Sequence, residues 1–186
     1  MGSDRLRREA YYHAALAVLA ERGPGDLTIA GLCARLRVTK GSFYHHFRDM
    51  SEFVDRLMEH WAEEHATRLI ALSESVTDPG ERFDLLEGIA AGLPHGAEAA
   101  IRAWSWSNES VAAAQRAVDA ARIDHLTASG QQGGLSPGAA RRLATIALSL
   151  LIGMQQLERP ARAEAMHEVF ATLREWALGE VPLPIG

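Results

Sequence analysis

Apolar side chains recur every three or four residues along almost the whole chain, and no other feature restricts its fold so strongly. In the first segment Tyr12, Leu16 and Leu19 share one helical face, and Gly23 follows them as a stop signal. No stretch alternates apolar and polar residues as a half-buried strand does. The pattern therefore predicts an all-α protein of about nine helices, in which three short helices precede a larger bundle.

Charge is unevenly divided along the sequence. Residues 1–50 hold eight basic and five acidic side chains, a balance of +3, although the 186-residue chain as a whole carries −5. A basic segment on an acidic protein is typical of an electrostatic footprint for a polyanion, but a balance of +3 also arises by chance. Charge alone is therefore weak support for a nucleic-acid partner.

Three features bear on the compartment. The single cysteine, Cys33, excludes an internal disulfide and fits a reducing environment. No apolar run approaches the roughly 20 residues that cross a bilayer. The N-terminus is charged, with no apolar block behind it, so it does not read as a secretory signal. We therefore expect a cytoplasmic protein without a membrane partner.

Two short predicted helices joined by a tight turn form a candidate helix-turn-helix, with Thr28 and Thr39 as the predicted N-caps. Cys33 is small enough for the close crossing of the two helices. Asp49 and Glu52 read as a capping box that opens a long amphipathic helix. Apolar residues are spaced to anchor the motif: Leu32, Leu36, Val38, Phe43 and Phe47.

Residues 38–47, "VTKGSFYHHF", have the character of a helix that reads DNA. They include the only lysine of the chain, and their outer face offers hydrogen-bonding groups on Lys40, Ser42, Tyr44, His45 and His46. Gly41 lets the first turn approach a sugar-phosphate chain without a Cβ in the way, and the free backbone N–H groups there favour an anion.

Each of these residues also has a plainer explanation. Tyr44 could equally lie at the edge of the core, and His45 and His46 could be ordinary surface residues. The two histidines are a poor metal site because consecutive helix positions diverge by about 100°. The joint pattern favours double-stranded DNA, and no metal or cofactor is predicted.

The stretch "AALAVLAERGPGDLTIAGLCARLRVTKGSFYHHFRDMSEFV" resembles the DNA-binding domain of the TetR family of bacterial transcriptional regulators. The resemblance covers about fifty N-terminal residues, and "VTKGSFYHHF" followed by a long helix is its most specific part. It implies a three-helix helix-turn-helix domain over residues 1–50. Residues 51–186 would then form a helical-bundle domain for ligand binding and dimerisation.

The resemblance also implies a set of DNA-contacting residues: Thr28, Thr39, Lys40, Gly41, Ser42, Tyr44, His45, His46 and Arg48. Thr28 would bring the start of the first motif helix to a phosphate. Thr39, Lys40 and Gly41 would seat the recognition helix. Ser42, Tyr44 and His45 would face the major groove, whereas His46 would lie near the DNA backbone.

The chain departs from the family pattern at three positions. Arg37 occupies the turn position usually held by glycine, and a positive φ there would cost roughly 1 kcal/mol. Leu36 stands where a small residue is usual. Met50 replaces a phosphate-binding lysine that many members carry, and Arg48 could partly substitute for that contact.

A sequence-reading dimer would present two recognition helices about 34–36 Å apart to a palindromic operator. The apolar segments "ATIALSLLIG" and "HEVFATLREW" are the predicted homodimer surface, although they could simply be core. The candidate pocket for an apolar or aromatic small-molecule effector comprises Trp61, His65, His95, Trp104, Met154 and Gln155. A plain core would explain most of these residues as well.

The favoured function is thus a transcriptional repressor that a small-molecule ligand releases from its operator. An enzyme is disfavoured because the sequence has no Gly-rich phosphate loop, no His-Glu metal spacing and no nucleophile elbow. The remaining alternative is a helical protein-interaction adaptor without DNA binding, which would have no need for Lys40, Gly41 and Ser42 at a helix start.

Overall fold

The computed structural model describes residues 2–64, 76–157 and 163–178. These residues form nine α-helices and no strand, which confirms the all-α prediction. The helices are α1 Gly2–Arg22, α2 Ile29–Leu36, α3 Lys40–His46, α4 Met50–Ala62, α5 Pro79–Ala91, α6 His95–Trp104, α7 Glu109–Gln132, α8 Pro137–Leu157 and α9 Ala163–Leu178. None of the described helices is long and apolar enough to cross a membrane.

Helices α2, α3, α4 and α5 begin where a short polar side chain satisfies a free backbone N–H group. Thr28 Oγ1 accepts a hydrogen bond from the Gly31 N–H at 3.0 Å, as the N-cap of α2. Asp78 caps α5 in the same way, and its Oδ1 lies 2.9 Å from the Glu81 N–H. Helix α1 ends at Arg22, followed by Gly23 with a φ of 79°.

The chain packs as two compact units. Among the described residues, the first unit comprises residues 2–64 and 94–117, and the second comprises the rest. Helix α6 and the start of α7 thus belong to the same unit as α1–α4. The predicted functional division after residue 50 is a different kind of boundary and stays a prediction.

The first unit is built around α1. Gly96 of α6 lies against α1 so closely that a Cβ there would meet the Cβ of Ala20 at 3.2 Å. On α1, Tyr11 and Tyr12 enter a buried aromatic cluster with residues from α3 and the start of α4. The members of this aromatic cluster are Tyr11, Tyr12, Phe43, Phe47 and Phe53, with ring centroids 4.9–6.0 Å apart in their contacting pairs.

The second unit has its own core, formed mainly by α8 and α9. Leu148 and Leu151 of α8 pack with Met166, Phe170 and Leu173 of α9, and all five are buried. Helix α9 also packs on α5. Because α5 and α7 leave part of this apolar surface unfilled, the unit contains cavities.

Candidate nucleic-acid interface

Helices α2 and α3 cross closely, as the motif requires. Leu32 and Cys33 are buried on the inner face of α2, and the Cys33 thiol donates to the Thr39 carbonyl at a Sγ–O distance of 3.6 Å. The structure therefore gives Cys33 the packing position predicted for it. The residues predicted to anchor the motif differ in burial. Phe43 and Phe47 are buried as expected, whereas Val38 is 38% exposed.

The turn between the two helices forces Arg37 into the left-handed region, with a φ of 55° and a ψ of 43°. The Arg37 N–H bonds to the Ala34 carbonyl at 3.2 Å, and the Val38 N–H bonds to the Cys33 carbonyl at 2.9 Å. This pair of bonds is a Schellman motif, which normally places glycine at the left-handed position. The positive φ expected for Arg37 is confirmed.

Substitution at Arg37 tests that strain. We expect Arg37→Gly to be more stable than Arg37→Ala by about 1 kcal/mol. Both variants lose the guanidinium, but only glycine adopts this positive φ without steric strain. Equilibrium urea denaturation measures the difference, which corresponds to roughly 2–4 °C in Tm for a chain of this size. Equal stability of the two variants, or a more stable alanine variant, would contradict a strained turn.

Helix α3 separates an inner apolar face from an outer polar one. Thr39 is its N-cap and accepts a hydrogen bond from the Ser42 N–H at 3.3 Å, as predicted. Phe43 faces the aromatic cluster and is fully buried. The exposed residues are Lys40, Gly41, Tyr44 and His45, and the Tyr44 side chain is 55% exposed.

Ser42 and His46 are half-buried, and both lie beside Tyr11 of α1. The Tyr11 hydroxyl donates to Ser42 Oγ at 3.2 Å, and the His46 ring lies edge-on to the Tyr11 ring at 6.0 Å. Burial raises the pKa of Tyr11, so the phenol stays a proton donor. Tyr11 thus orients Ser42, a role that the sequence could not indicate because 31 residues separate the two.

The start of α4 forms the predicted N-cap at Asp49, but the return bond from Glu52 goes to Arg48 rather than to the N-cap residue, so the predicted capping box is only half formed. Asp49 Oδ1 accepts from the Glu52 N–H at 2.8 Å, while Glu52 Oε2 accepts from the Arg48 N–H at 2.8 Å. The Arg48 side chain donates from Nε to Asp49 Oδ2 at 3.1 Å and is 78% exposed. The Glu52 N–H bond, followed by Arg48, holds the pKa of Asp49 below its usual value. A phosphate would therefore compete with Asp49 for Arg48.

The nine residues predicted to contact DNA all lie in one 21-residue stretch of the first unit, from Thr28 to Arg48. Seven are exposed, and Ser42 and His46 are the half-buried ones. Lys40 makes no hydrogen bond or ion pair within the part of the chain described, so its ammonium is available to an external anion. The roles of these nine residues in DNA binding stay predictions.

The residues predicted for a ligand pocket are divided between the two units. Trp61 of α4 is fully buried in the first unit, where His95 and Trp104 of α6 are half-buried. Met154 and Gln155 belong to α8 in the second unit. His65 lies outside the described residues.

Two neighbouring cavities lie in the second unit, and none of the five predicted residues that the structure describes lines them. The apolar cavity has a volume of about 130 Å³ and is bounded mainly by aliphatic and aromatic side chains, among them Ile89, Leu148 and Phe170. The arginine cavity has a volume of about 120 Å³, and its lining includes Arg82 and Arg174. Sequence reasoning missed them because pocket-lining and core-filling residues follow the same helical spacing.

Residues 12–57 match the family model described as bacterial regulatory proteins, tetR family. A TetR-family transcriptional regulator from Agrobacterium tumefaciens has a similar structure, with a TM-score of 0.78 and 21% identity over 92% of this chain and 98% of that one. A transcriptional regulator from Saccharomonospora viridis, solved in complex with choline, has a TM-score of 0.76 and 17% sequence identity, over 92% of this chain and 96% of that one. Escherichia coli NemR in its reduced form has a TM-score of 0.75 and 19% sequence identity, over 90% of this chain and 95% of that one. No curated protein matches the chain.

Proposed function

We propose that this chain is a DNA-binding transcriptional repressor of the tetR family of bacterial regulatory proteins, controlled by a small molecule, and the family match over residues 12–57 supports this proposal. In this proposal a homodimer binds a palindromic operator in the cytoplasm, and an effector releases it. The observation that carries the DNA-binding part is the outer face of α3. It exposes Lys40, Gly41, Tyr44 and His45 while Phe43 and Phe47 fix the helix from behind.

Dimerisation follows from what one short helix can read. Helix α3 has seven residues, and a helix of this kind contacts only a few base pairs in the major groove. Two copies one turn of B-DNA apart read an inverted repeat. Two large apolar side chains on α8 support the proposed dimer surface, since Ile146 is 44% exposed and Leu157 is 82% exposed.

Effector control rests on the cavities of the second unit. The Saccharomonospora viridis regulator, which shares this fold, was solved with a small organic molecule, choline. A ligand that binds more tightly to the conformer with low DNA affinity shifts the population toward that conformer. The size of the shift equals the differential affinity of the ligand for the two conformers, so tight binding alone does not release the repressor.

Selection from random duplex DNA with the purified full-length chain tests the proposed function. We expect the enriched fragments to contain an inverted repeat whose half-site centres lie about 10 base pairs, or a multiple of that, apart. Enrichment of unrelated single sites would contradict the dimeric reading. Failure to enrich any DNA at low salt would favour the protein-interaction adaptor instead.

Gly41→Ala separates stability from DNA binding. A Cβ at Gly41 would meet only Thr39 Oγ1, at 3.6 Å, so the fold accepts it. We expect the helix to gain about 0.5–1 kcal/mol, since glycine is a poor helix former, while DNA affinity falls because the methyl group stands at the phosphate. Denaturation and DNA titration of the same samples measure both effects.

Gly88→Ala is the matched control for that experiment. Gly88 is exposed on α5, and a Cβ there would meet no atom within 4 Å. This variant should gain similar stability and keep its DNA affinity. Unchanged DNA affinity in Gly41→Ala would remove this residue from the interface.

A further inference from the structure

Arg82 is a buried cation that pairs with no acidic residue in the part of the chain that the structure describes. Its side chain is on α5, lines the arginine cavity and is only 7% exposed. Nε donates to the Val76 carbonyl at 2.8 Å, Nη2 donates to the same oxygen, and Nη1 donates to Gln132 Oε1. All of these acceptors are uncharged, and no carboxylate within residues 2–64, 76–157 and 163–178 pairs with this guanidinium.

Burial of a charge is costly unless an opposite charge compensates it. A guanidinium has five N–H donors, and the bonds to Val76 and Gln132 use three of them. The other two are left for a further acceptor. A carboxylate supplies both the missing charge and two oxygens, and arginine holds it with charge-assisted hydrogen bonds.

Arg174 of α9 brings a second cation to the same cavity. Its Nη1 lies 3.4 Å from Asp84 Oδ1, an ion pair in which the Arg174 side chain is still 40% exposed. Its Nε is buried and has no acceptor among the described residues. The cavity therefore has two arginines in its lining, of which Asp84 compensates only one.

The apolar cavity adjoins the arginine cavity, because the two share a set of lining residues. The shared wall consists of Phe83, Leu86, Leu126, Ala147 and Leu173. At about 130 Å³, the apolar cavity is close to the roughly 150 Å³ that accommodates a benzene ring in an engineered protein core. Together the two cavities fit a molecule with an apolar body and a polar head.

The charged residues of the apolar cavity do not favour a cationic head. Glu87 lines that cavity, but its carboxylate already bonds to His167 Nδ1 and its side chain is only 11% exposed. Arg122 and His125 line the same cavity, so Glu87 does not give it a net negative lining. Among the described residues that line the two cavities, the charge that lacks a counterion is the one on Arg82.

We infer that the effector of this regulator is an amphipathic organic anion. Its carboxylate binds Arg82 and Arg174, and its short aliphatic or aromatic body occupies the apolar cavity. The regulatory role of this ligand rests on the proposed function, whereas its binding to the protein can be measured without DNA. It names a ligand class for a site that the sequence did not identify.

Calorimetric titration of the full-length protein with three matched eight-carbon probes tests the ligand class. Octanoate, 1-octanol and octylamine share the tail and differ in the head. We expect octanoate to bind at least tenfold more tightly than octanol, and octylamine to bind most weakly. Equal binding of octanoate and octanol, preference for octylamine, or no binding of octanoate would overturn the inference.

Variants locate the head group. Arg82→Gln and Arg174→Gln should each weaken octanoate binding by about tenfold to a hundredfold and leave octanol binding unchanged, the range expected for a charge-assisted hydrogen bond. Arg141→Gln is the control, since this exposed arginine pairs with Asp124 and does not line either cavity. If Arg82→Gln does not fold, as judged by circular dichroism, Arg174→Gln decides the question.

DNA titration with and without octanoate separates this inference from the proposed function. Octanoate binding by a protein that binds no DNA would refute the regulator and keep the ligand class. DNA binding by a protein that ignores octanoate would keep the regulator and refute the ligand class.

Discussion

Replacing Phe43 by alanine is expected to destabilise the first unit by about 3–5 kcal/mol and to abolish DNA binding. Phe43 is fully buried, and its ring lies 5.2 Å from Phe47, 5.5 Å from Phe53 and 5.7 Å from Tyr11, centroid to centroid. Alanine leaves a cavity between three rings, which lie on α1, directly after α3 and in the first turn of α4. Because these helices hold α3 in place, the cavity affects the whole motif.

The loss is large because a domain is stable by only about 5–15 kcal/mol in total. Urea denaturation followed by circular dichroism measures it, and a DNA titration on the same sample reports the function. Tyr44→Ala is the matched control. Tyr44 is the adjacent aromatic residue but is 55% exposed on the outer face, so we expect less than about 1 kcal/mol of destabilisation. Equal destabilisation by both substitutions would contradict the two-faced description of α3.

Substitutions on the outer face of α3 are expected to weaken DNA binding in two distinguishable ways. Lys40→Gln should lower affinity for all DNA sequences to a similar degree, because an ammonium group that binds a phosphate recognises its charge and not the base sequence. It should also reduce the salt dependence by about one phosphate contact in each half-site. His45→Ala should instead cost about 1–3 kcal/mol in each half-site on the preferred sequence and little on other sequences.

The two half-sites double each effect in a dimer, which makes the His45 substitution a large one. DNA titrations at several salt concentrations, on the selected site and on a scrambled site, distinguish the two patterns. Arg116→Gln is the control, since Arg116 is an exposed arginine of the same unit that pairs with Glu109 and lies outside residues 28–48. A sequence-dependent effect of Lys40→Gln, or a uniform effect of His45→Ala, would reverse the roles assigned to these side chains.

Local signals carried the predictions that the structure confirms. Thr28, Thr39 and Asp49 are N-caps as predicted, and each side chain accepts a hydrogen bond from the backbone N–H of the residue three positions further along. The left-handed Arg37 followed from the resemblance, since Arg37 occupies a turn position where the family usually has glycine. In each case the deciding contact spans five residues or fewer.

Features that depend on packing between distant segments could not be read from the sequence. The Tyr11–Ser42 hydrogen bond and the inclusion of α6 in the first unit are of this kind. Val38 looked like an anchor by its spacing but is 38% exposed. The cavities escaped notice for the same reason, and Arg82 is recognisable as unusual only once its acceptors at Val76 and Gln132 are known.

The central claim is that paired copies of the outer face of α3 bind duplex DNA. Its most direct test is a titration of a selected inverted repeat with the full-length chain, with the affinity measured against salt concentration. We expect two protomers per repeat and a logarithm of affinity that falls linearly with the logarithm of salt concentration, by about 0.9 per phosphate contact. A chain that stays monomeric and binds no DNA even at low salt would contradict the claim.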